Sequence, residues 1–311
     1  MIYFDINSRQ DIINEHYDSL KTYLNSKIAS SSINKVLKDY IEINIEKIIK
    51  GSPTEINKLN LKFQSLHSHI STKIINKKVS KIFNYKYFEA KKDNHYDGYD
   101  LAKKLNIRTC LYCNRNYTLT VEKGKNKIDK ITRPEFDHFF DKSENPLLAL
   151  SIQNLIPSCK TCNSSLKGTK KFNLISNLHP FKDEVINFYN YAFIPHDVKS
   201  IIGGNSNLSV KLNIGSGNIK IDKKINKSNE IYKLEDIMSA HSEELKDLFN
   251  IRYKFSERYF EELFNKYKAL GLNYNDVYKV VFGVEYNELD FANRPFSKLK
   301  KDILKELNII K

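Results

Sequence analysis

The chain has 311 residues, of which 41% are hydrophobic and 12% aromatic, enough apolar material for folded cores and too much for a disordered chain. The sequence has no run of 18 or more apolar residues and therefore predicts no membrane span. Its acid-containing N-terminal residues predict no signal peptide. The formal net charge is +14. Lys/Arg outnumber Asp/Glu by 19 to 12 in residues 1–109, by 11 to 6 in 110–180, and by 21 to 19 in 181–311.

The basic excess is thus concentrated in the first 180 residues. A basic surface is the electrostatic footprint of a protein that binds a polyanion such as nucleic acid. The chain is also rich in Asn, Ile and Lys, and such a composition produces positive charge without any binding function. Charge alone leaves both interpretations open.

Residues 1–100 are predicted to form a basic helical domain. Between residues 8 and 50, apolar residues recur at helical spacing; the first such set is Ile12, Ile13, Tyr17, Leu20 and Leu24. Ser52, Pro53 and Glu55 then have the spacing of a capping box with proline in the first helical turn. The polar stretch 90–100 is interpreted as a linker.

Residues 101–180 change character, with cysteines, turns and short alternating segments. Alternation in the segment NYTLTVEKGKNKIDKITRPEF, followed by a Lys/Gly/Asn turn, predicts a β-hairpin. Residues 181–311 are interpreted as a mixed and then helical C-terminal domain, with a second hairpin around Gly215–Gly217. The predicted class is α+β and mostly helical, with a small central module between helical regions.

The four cysteines form two pairs, Cys110-x2-Cys113 and Cys159-x2-Cys162. The absence of a signal peptide places the chain in a reducing cytoplasm by default, which disfavours disulfides. A CxxC pair can be redox-active, but two pairs with none left over are typical of a closed tetrahedral zinc site. Such a site would hold together the segment between the two pairs.

That segment contains FDHFFDKSENP, in which Asp137 and His138 lie among three phenylalanines. The pair can be a buried, hydrogen-bonded structural element or part of a hydrolase site. Phe136, Phe139 and Phe140 are predicted to pack in the core of the module rather than to stack on bases. Asn154 and Asn163 follow further along the chain, and either one alone is a common structural residue.

Taken together, the pattern resembles the HNH nucleases, which have the ββα-metal fold. The resemblance covers about residues 107–171. It rests on C-x2-C, a DH pair, N-L, and C-x2-C-N-x3-K, which appear here in CLYCNRNYT, FDHFFDKS and NLIPSCKTCN and end at Lys167. The resemblance implies a strand pair and a helix that hold one divalent cation, usually Mg²⁺.

The resemblance also implies roles for individual residues. Asp137 and Asn163 would bind the catalytic cation, although the third position of the family motif is often histidine. His138 would be the general base, since a histidine takes a proton readily near neutral pH. Asn154 would hold the His138 imidazole in place. Basic residues near these positions are predicted to bind substrate phosphates, with exposed solvated charges as the alternative: Arg115, Lys160, Lys167 and Lys170.

The leading hypothesis is a metal-dependent endonuclease acting on nucleic acid, with DNA favoured over RNA. The alternatives are a zinc-stabilised nucleic-acid-binding module without catalysis, and an adaptor protein. The layout also resembles the HNH effectors of Septu-type antiphage defence systems, in which the nuclease works with an ATPase partner. That resemblance implies docking of the partner on the C-terminal helices, whose aromatic residues can equally form that domain's core.

Overall fold

The computed structural model describes residues 1–67, 71–91, 93, 95–124, 126–255 and 257–310. Within these ranges the chain is α+β and mostly helical, with three two-stranded sheets, which confirms the predicted class. The residues cluster into two compact units. The first unit comprises residues 4–108 and 118–183, and the second comprises 1–3, 109–117 and 184–311. The division of the chain at residues 100 and 180 stays a prediction.

Six helices account for most of the first unit. They are α1 Gln10–Ala29, α2 Lys35–Lys50, α3 Pro53–Ser65, α4 Thr72–Ile82, α5 Tyr85–Glu89 and α6 Gly98–Leu105. The predicted capping box is confirmed, because the Glu55 amide donates to the Ser52 hydroxyl and the Ser52 amide donates to the Glu55 carboxylate. The five apolar residues predicted to share a face of α1 are all buried. Helix α6 begins inside the stretch interpreted as a linker.

Four short strands complete the first unit. Strand β1 (Val121–Glu122) pairs antiparallel with β2 (Lys130–Thr132), which confirms a hairpin in that segment, although it is shorter than the alternation suggested. Strand β3 (Glu135–His138) pairs antiparallel with β4 (Leu155–Ser158). A stretch of π-helix, Thr161–Lys167, follows β4.

The second unit is built on a longer strand pair. Strand β5 (Tyr189–Pro195) pairs with β6 (Leu208–Ile214) over seven residues each, with α7 (Val198–Ile201) in the connection. The hairpin predicted around Gly215–Gly217 is therefore wrong: β6 exists, but its partner precedes it. The residues after the glycines instead form a helix, and the Asn218 side chain caps its N-terminus.

Six further helices follow in the second unit. They are α8 Ile219–Tyr232, α9 Leu234–Ser239, α10 Ser242–Lys254, α11 Glu257–Ala269, α12 Tyr274–Phe282 and α13 Ser297–Glu306. The helical character predicted for residues 230–311 is confirmed. In the part of the chain that the structure describes, no helix has the length and apolar character needed to cross a membrane.

Candidate functional site

The candidate site lies on one face of strand β3 in the first unit. Successive side chains of a strand point to opposite faces, so Glu135 and Asp137 share a face while Phe136 and His138 share the other. The register with β4 pairs Asp137 with Ile156 and His138 with Leu155. The π-helical segment lies against the acidic face, where its side chains meet both carboxylates. π-Helical turns are frequent at functional sites.

Asp137 forms a buried ion pair with Lys167. The Lys167 ammonium lies 2.6 Å from Asp137 Oδ1 and 2.7 Å from Oδ2, and it also donates to the His138 carbonyl at 2.6 Å. Both side chains are about 95% buried. An ammonium has three protons, and three acceptors take them here. Lys167, predicted to bind a substrate phosphate, instead neutralises the carboxylate predicted to bind a cation.

Glu135 is engaged by two side chains of the π-helical segment. Its Oε2 atom accepts hydrogen bonds from Asn163 Nδ2 at 2.9 Å and from the Ser164 hydroxyl at 3.0 Å. Asn163, predicted to act with Asp137, is therefore bonded to the acid two residues earlier on the same strand. Sequence reasoning missed Glu135, although the two-residue period of a strand placed it beside Asp137.

His138 is a buried imidazole with a defined tautomer. Its Nε2 atom lies 3.0 Å from the Ala149 carbonyl, and because a carbonyl only accepts, Nε2 carries the hydrogen. Nδ1 therefore keeps its lone pair. The ring meets Tyr85 edge-to-face, with 4.4 Å between ring centres. The pKa of His138 is lowered to about 3, chiefly by burial and secondly by the nearby Lys142 charge, while the bond to Ala149 opposes the shift.

Asn154 is fully buried and bonds to the main chain of the loop between β3 and β4. Its two amide protons go to the Phe140 carbonyl at 3.1 Å and the Leu148 carbonyl at 2.9 Å. Its oxygen accepts the Phe140 amide hydrogen at 2.7 Å. Asn154 therefore holds the loop rather than the imidazole itself, and the Leu148 carbonyl that it binds directly precedes Ala149, whose carbonyl contacts His138.

The three phenylalanines around the pair pack as predicted. Phe136, Phe139 and Phe140 are all at least 95% buried. The Phe139 ring contacts Phe140, Phe172 and His179, with ring centres 4.3 to 5.6 Å apart. These contacts fix the C-terminal end of β3, so the backbone that carries His138 is anchored by packing.

The four cysteines form a buried group whose Sγ atoms all lie within 4.8 Å of one another. A tetrahedral zinc ion with Zn–S bonds of about 2.3 Å requires sulfur atoms about 3.8 Å apart, so the group can hold a metal such as zinc. The Arg115 amide donates to Cys113 Sγ at 3.4 Å. An N–H group directed at sulfur stabilises a thiolate, the form that binds zinc.

The other predicted phosphate-binding residues differ in their surroundings. Lys160 and Lys170 are exposed, and the Lys170 ammonium donates to the Leu166 carbonyl. Arg115 is half-buried and belongs to the second unit. Lys160 and Lys170 are accessible to solvent and anions, whereas Lys167 is not.

The oxygen donors on the acidic face of β3 are of the type that Mg²⁺ prefers: the carboxylates of Asp137 and Glu135 and the amide oxygen of Asn163. In donor chemistry the site therefore fits a hard divalent cation. The position of the Lys167 ammonium opposes that fit, because two cations beside one buried carboxylate repel each other.

Comparison with known proteins returned no relative. No protein-family model matches the chain, and neither the curated proteins nor the solved structures contain a significant match.

Proposed function

We propose that this chain is an HNH-type endonuclease that hydrolyses phosphodiester bonds in nucleic acid. The observation that carries the proposal is the tautomer of His138. Its Nε2–H is held by the Ala149 carbonyl, and its Nδ1 is left unprotonated on the residue next to Asp137. In this tautomer Nδ1 is the ring atom that can accept a proton from a water molecule, and the burial that lowers the pKa of His138 to about 3 works against that role.

In this proposal each residue of the site has a separate task. His138 takes the proton of the attacking water at Nδ1, and Ala149 fixes the ring. Asn154 keeps the Ala149 carbonyl in place by holding the loop. Asp137, Asn163 and Glu135 would hold a divalent cation such as Mg²⁺. When bound, that cation would neutralise charge on the phosphate and the leaving oxygen.

A second candidate function is a zinc-stabilised nucleic-acid-binding or adaptor protein without catalysis. The observation that favours it is the ion pair of Asp137, whose two oxygens both accept hydrogen bonds from Lys167. A carboxylate neutralised by a buried lysine serves a structural role without any further ion.

Plasmid nicking with added Mg²⁺ separates the two functions. We expect His138→Ala to lower the nicking rate about 100-fold or more, the effect of removing a general base. His16→Ala is the matched control, since His16 is also buried and its Nε2 lies 2.9 Å from the Leu150 carbonyl, next to Ala149. Rates are compared per folded molecule.

If His138→Ala nicks as fast as the parent, the catalytic assignment is wrong. If the parent binds DNA but does not nick it with Mg²⁺ or Mn²⁺, the second candidate is correct. Zinc content gives an independent measure of the cysteine group: Cys110→Ser is expected to lose zinc, whereas Asp137→Asn is expected to keep it while binding Mg²⁺ less tightly.

We also propose that the nuclease is an antiphage effector controlled by an ATPase. The support is the sequence resemblance to Septu-type effectors, together with exposed aromatic residues on α10 and near the start of α11 that suit a protein partner: Tyr253, Phe255 and Tyr259. Co-purification with an ATPase encoded by a neighbouring gene tests this role. A methylase in that genomic position would contradict it.

A further inference from the structure

A lysine-rich segment of the basic helical region borders the candidate site, and its individual lysines were not singled out from the sequence. Residues 71–91 contain six lysines but only one acid, Glu89. On helix α4, Lys73 and Lys77 are one turn apart and both exposed. The helix is about 16 Å long, which equals the rise of about five phosphates along one strand of B-DNA.

Two surface cavities connect this segment to the site through one residue. A cavity of about 690 Å³ is lined by Lys73, Lys77 and Lys142. A second cavity of about 490 Å³ is lined by Lys91, Arg133 and Lys142, and it also includes Glu135 and Asn163 of the candidate site. Lys142 lines both cavities, so they are neighbours on the surface, and the basic residues that line them are together called the basic strip.

The residue at the centre of the basic strip is next to the candidate catalytic histidine. The exposed Lys142 ammonium lies 4.7 Å from the centre of the Tyr85 ring. The same ring contacts the His138 imidazole, 4.4 Å between ring centres. Lys142 and His138 therefore contact the same aromatic ring, which places a phosphate bound by Lys142 close to His138.

The basic strip is held in shape by hydrogen bonds. Asn76 of α4 donates to the carbonyls of Ser143 and Glu144 at 3.2 Å, which fixes the helix beside the loop that carries Lys142. Lys91 donates to the Lys130 carbonyl at 2.6 Å. These contacts fix the spacing of the cations before any ligand binds, which lowers the entropy cost of binding.

The acids along the basic strip are already partnered. Glu144 pairs with Lys171, and Glu135 accepts from Asn163 and Ser164. Glu89 lies 4.0 Å from Arg133 and is the weakest of these contacts. The lysines at the two ends and at the centre therefore retain charge for an external anion.

We propose that the basic strip binds the phosphate backbone of a nucleic acid and leads it past His138. This inference rests on the proposed function for its substrate class, and the nucleic-acid-binding alternative also accommodates it. The contacts are to phosphates, so we expect little sequence preference and a strong dependence on salt.

The test measures binding of a fluorescent DNA duplex of about 20 base pairs by anisotropy, at salt concentrations of about 50 to 200 mM NaCl, where phosphate contacts are most sensitive to salt. No divalent cation is added, so that nothing is cleaved. The strip variant is Lys73→Gln/Lys77→Gln/Lys142→Gln. The control variant is Lys35→Gln/Lys58→Gln/Lys62→Gln, which removes three exposed lysines, two of them also one turn apart, on helix α3.

We expect the strip variant to bind at least about tenfold more weakly and to reduce the salt slope by about 3, because each of the three lysines removed would neutralise one phosphate. The control variant should stay within about threefold of the parent. Equal weakening in both variants, or no change in the strip variant, overturns the proposal. The proposal is also overturned if the parent does not bind DNA at the lowest salt concentration, or if it binds polyglutamate through the same lysines.

Nicking with Mg²⁺ is measured on the same proteins. A parent that binds through the basic strip but does not nick contradicts the proposed catalysis and leaves this inference intact. A parent that nicks while the strip variant binds normally contradicts the inference alone. A single-stranded RNA of similar length, tested in parallel, shows which nucleic acid the basic strip prefers.

Discussion

Among the described residues of the first unit, two buried lysine–aspartate pairs, Asp97–Lys130 and Asp137–Lys167, are alike in geometry and different in surroundings. Each has a closest N–O distance of 2.6 Å, and all four side chains are at least 95% buried. Asp97 also caps helix α6 by accepting the Tyr99 amide hydrogen at 2.7 Å. Asp137 instead precedes His138 and faces a helix that supplies Asn163.

The difference shows why burial and pairing alone do not define a role. The first pair combines a helix cap with the neutralisation of Lys130, and both tasks are structural. The second pair places an ammonium against a carboxylate whose neighbours are an oriented imidazole and a second acid. Substitutions in the two pairs separate a purely structural ion pair from one that belongs to a functional site.

Loss of the lysine should be equally costly in both pairs. Lys167→Met and Lys130→Met each leave a buried carboxylate without its cation, so we expect the free energy of unfolding to fall by about 3–5 kcal/mol. Urea denaturation measures it. Lys170→Met, at an exposed position, is the control and should change stability by less than about 0.5 kcal/mol. A normal stability for Lys167→Met would mean that Asp137 is neutralised in another way, by protonation or by another cation.

Loss of the carboxylate charge should distinguish the pairs. Asp137→Asn is expected to lower Mg²⁺-dependent nicking about 100-fold, because the charge that would hold the cation is removed. Asp97→Asn should leave the rate per folded molecule within about threefold of the parent. Equal rates in the two variants would contradict a special role for Asp137, whatever their stabilities.

The loop beside the second pair should matter for both stability and activity. Asn154→Ala leaves one amide and two carbonyls of the buried loop short of a partner, which should lower stability by about 2 kcal/mol. It should also lower nicking, because the Ala149 carbonyl is no longer supported. Asn60→Ala is the control: Asn60 is also buried and donates to Asn145 of the same loop at 2.7 Å. Asn60→Ala should lower stability without lowering the nicking rate per folded molecule.

The smallest effect separates the two tasks of Asp97. Asp97→Ser keeps a side-chain oxygen for the end of α6 but not the charge, whereas Asp97→Ala removes both. We expect Asp97→Ser to be the more stable of the two by about 1 kcal/mol, the contribution of a helix N-cap. Equal thermal stability of the two variants would show that the ion pair alone determines the role of Asp97.

Local signals in the sequence predicted much of the fold. Ser52 and Glu55 are three residues apart and within bonding reach by helix geometry, so the capping box followed from spacing alone. The strand that pairs with β6 could not be predicted from local signals. Gly215 and Gly217 correctly marked the end of a strand, but a turn does not determine the next element. Strand pairing depends on packing between segments distant in the sequence.

The candidate site shows the same limit. The cysteine group was predicted from the spacing of the two CxxC pairs, and the resemblance to HNH nucleases implied a strand pair and a helix around Asp137 and His138. The bond from Lys167 to Asp137 was not, because it joins residues thirty positions apart. The bond forms only if Lys167 faces Asp137, which depends on how the π-helical segment is rotated about its axis, and no residue pattern specifies that rotation. The sequence likewise could not show that Asn154 bonds to the loop main chain, since its partners lie up to fourteen positions away.

The four-residue pairing of β3 and β4 limits how the chain can change in evolution. Insertion or deletion of one residue at the start of β3 would move Asp137 and His138 each to the opposite face of the sheet. Length variation among relatives of this chain should therefore be absent from residues 135–138.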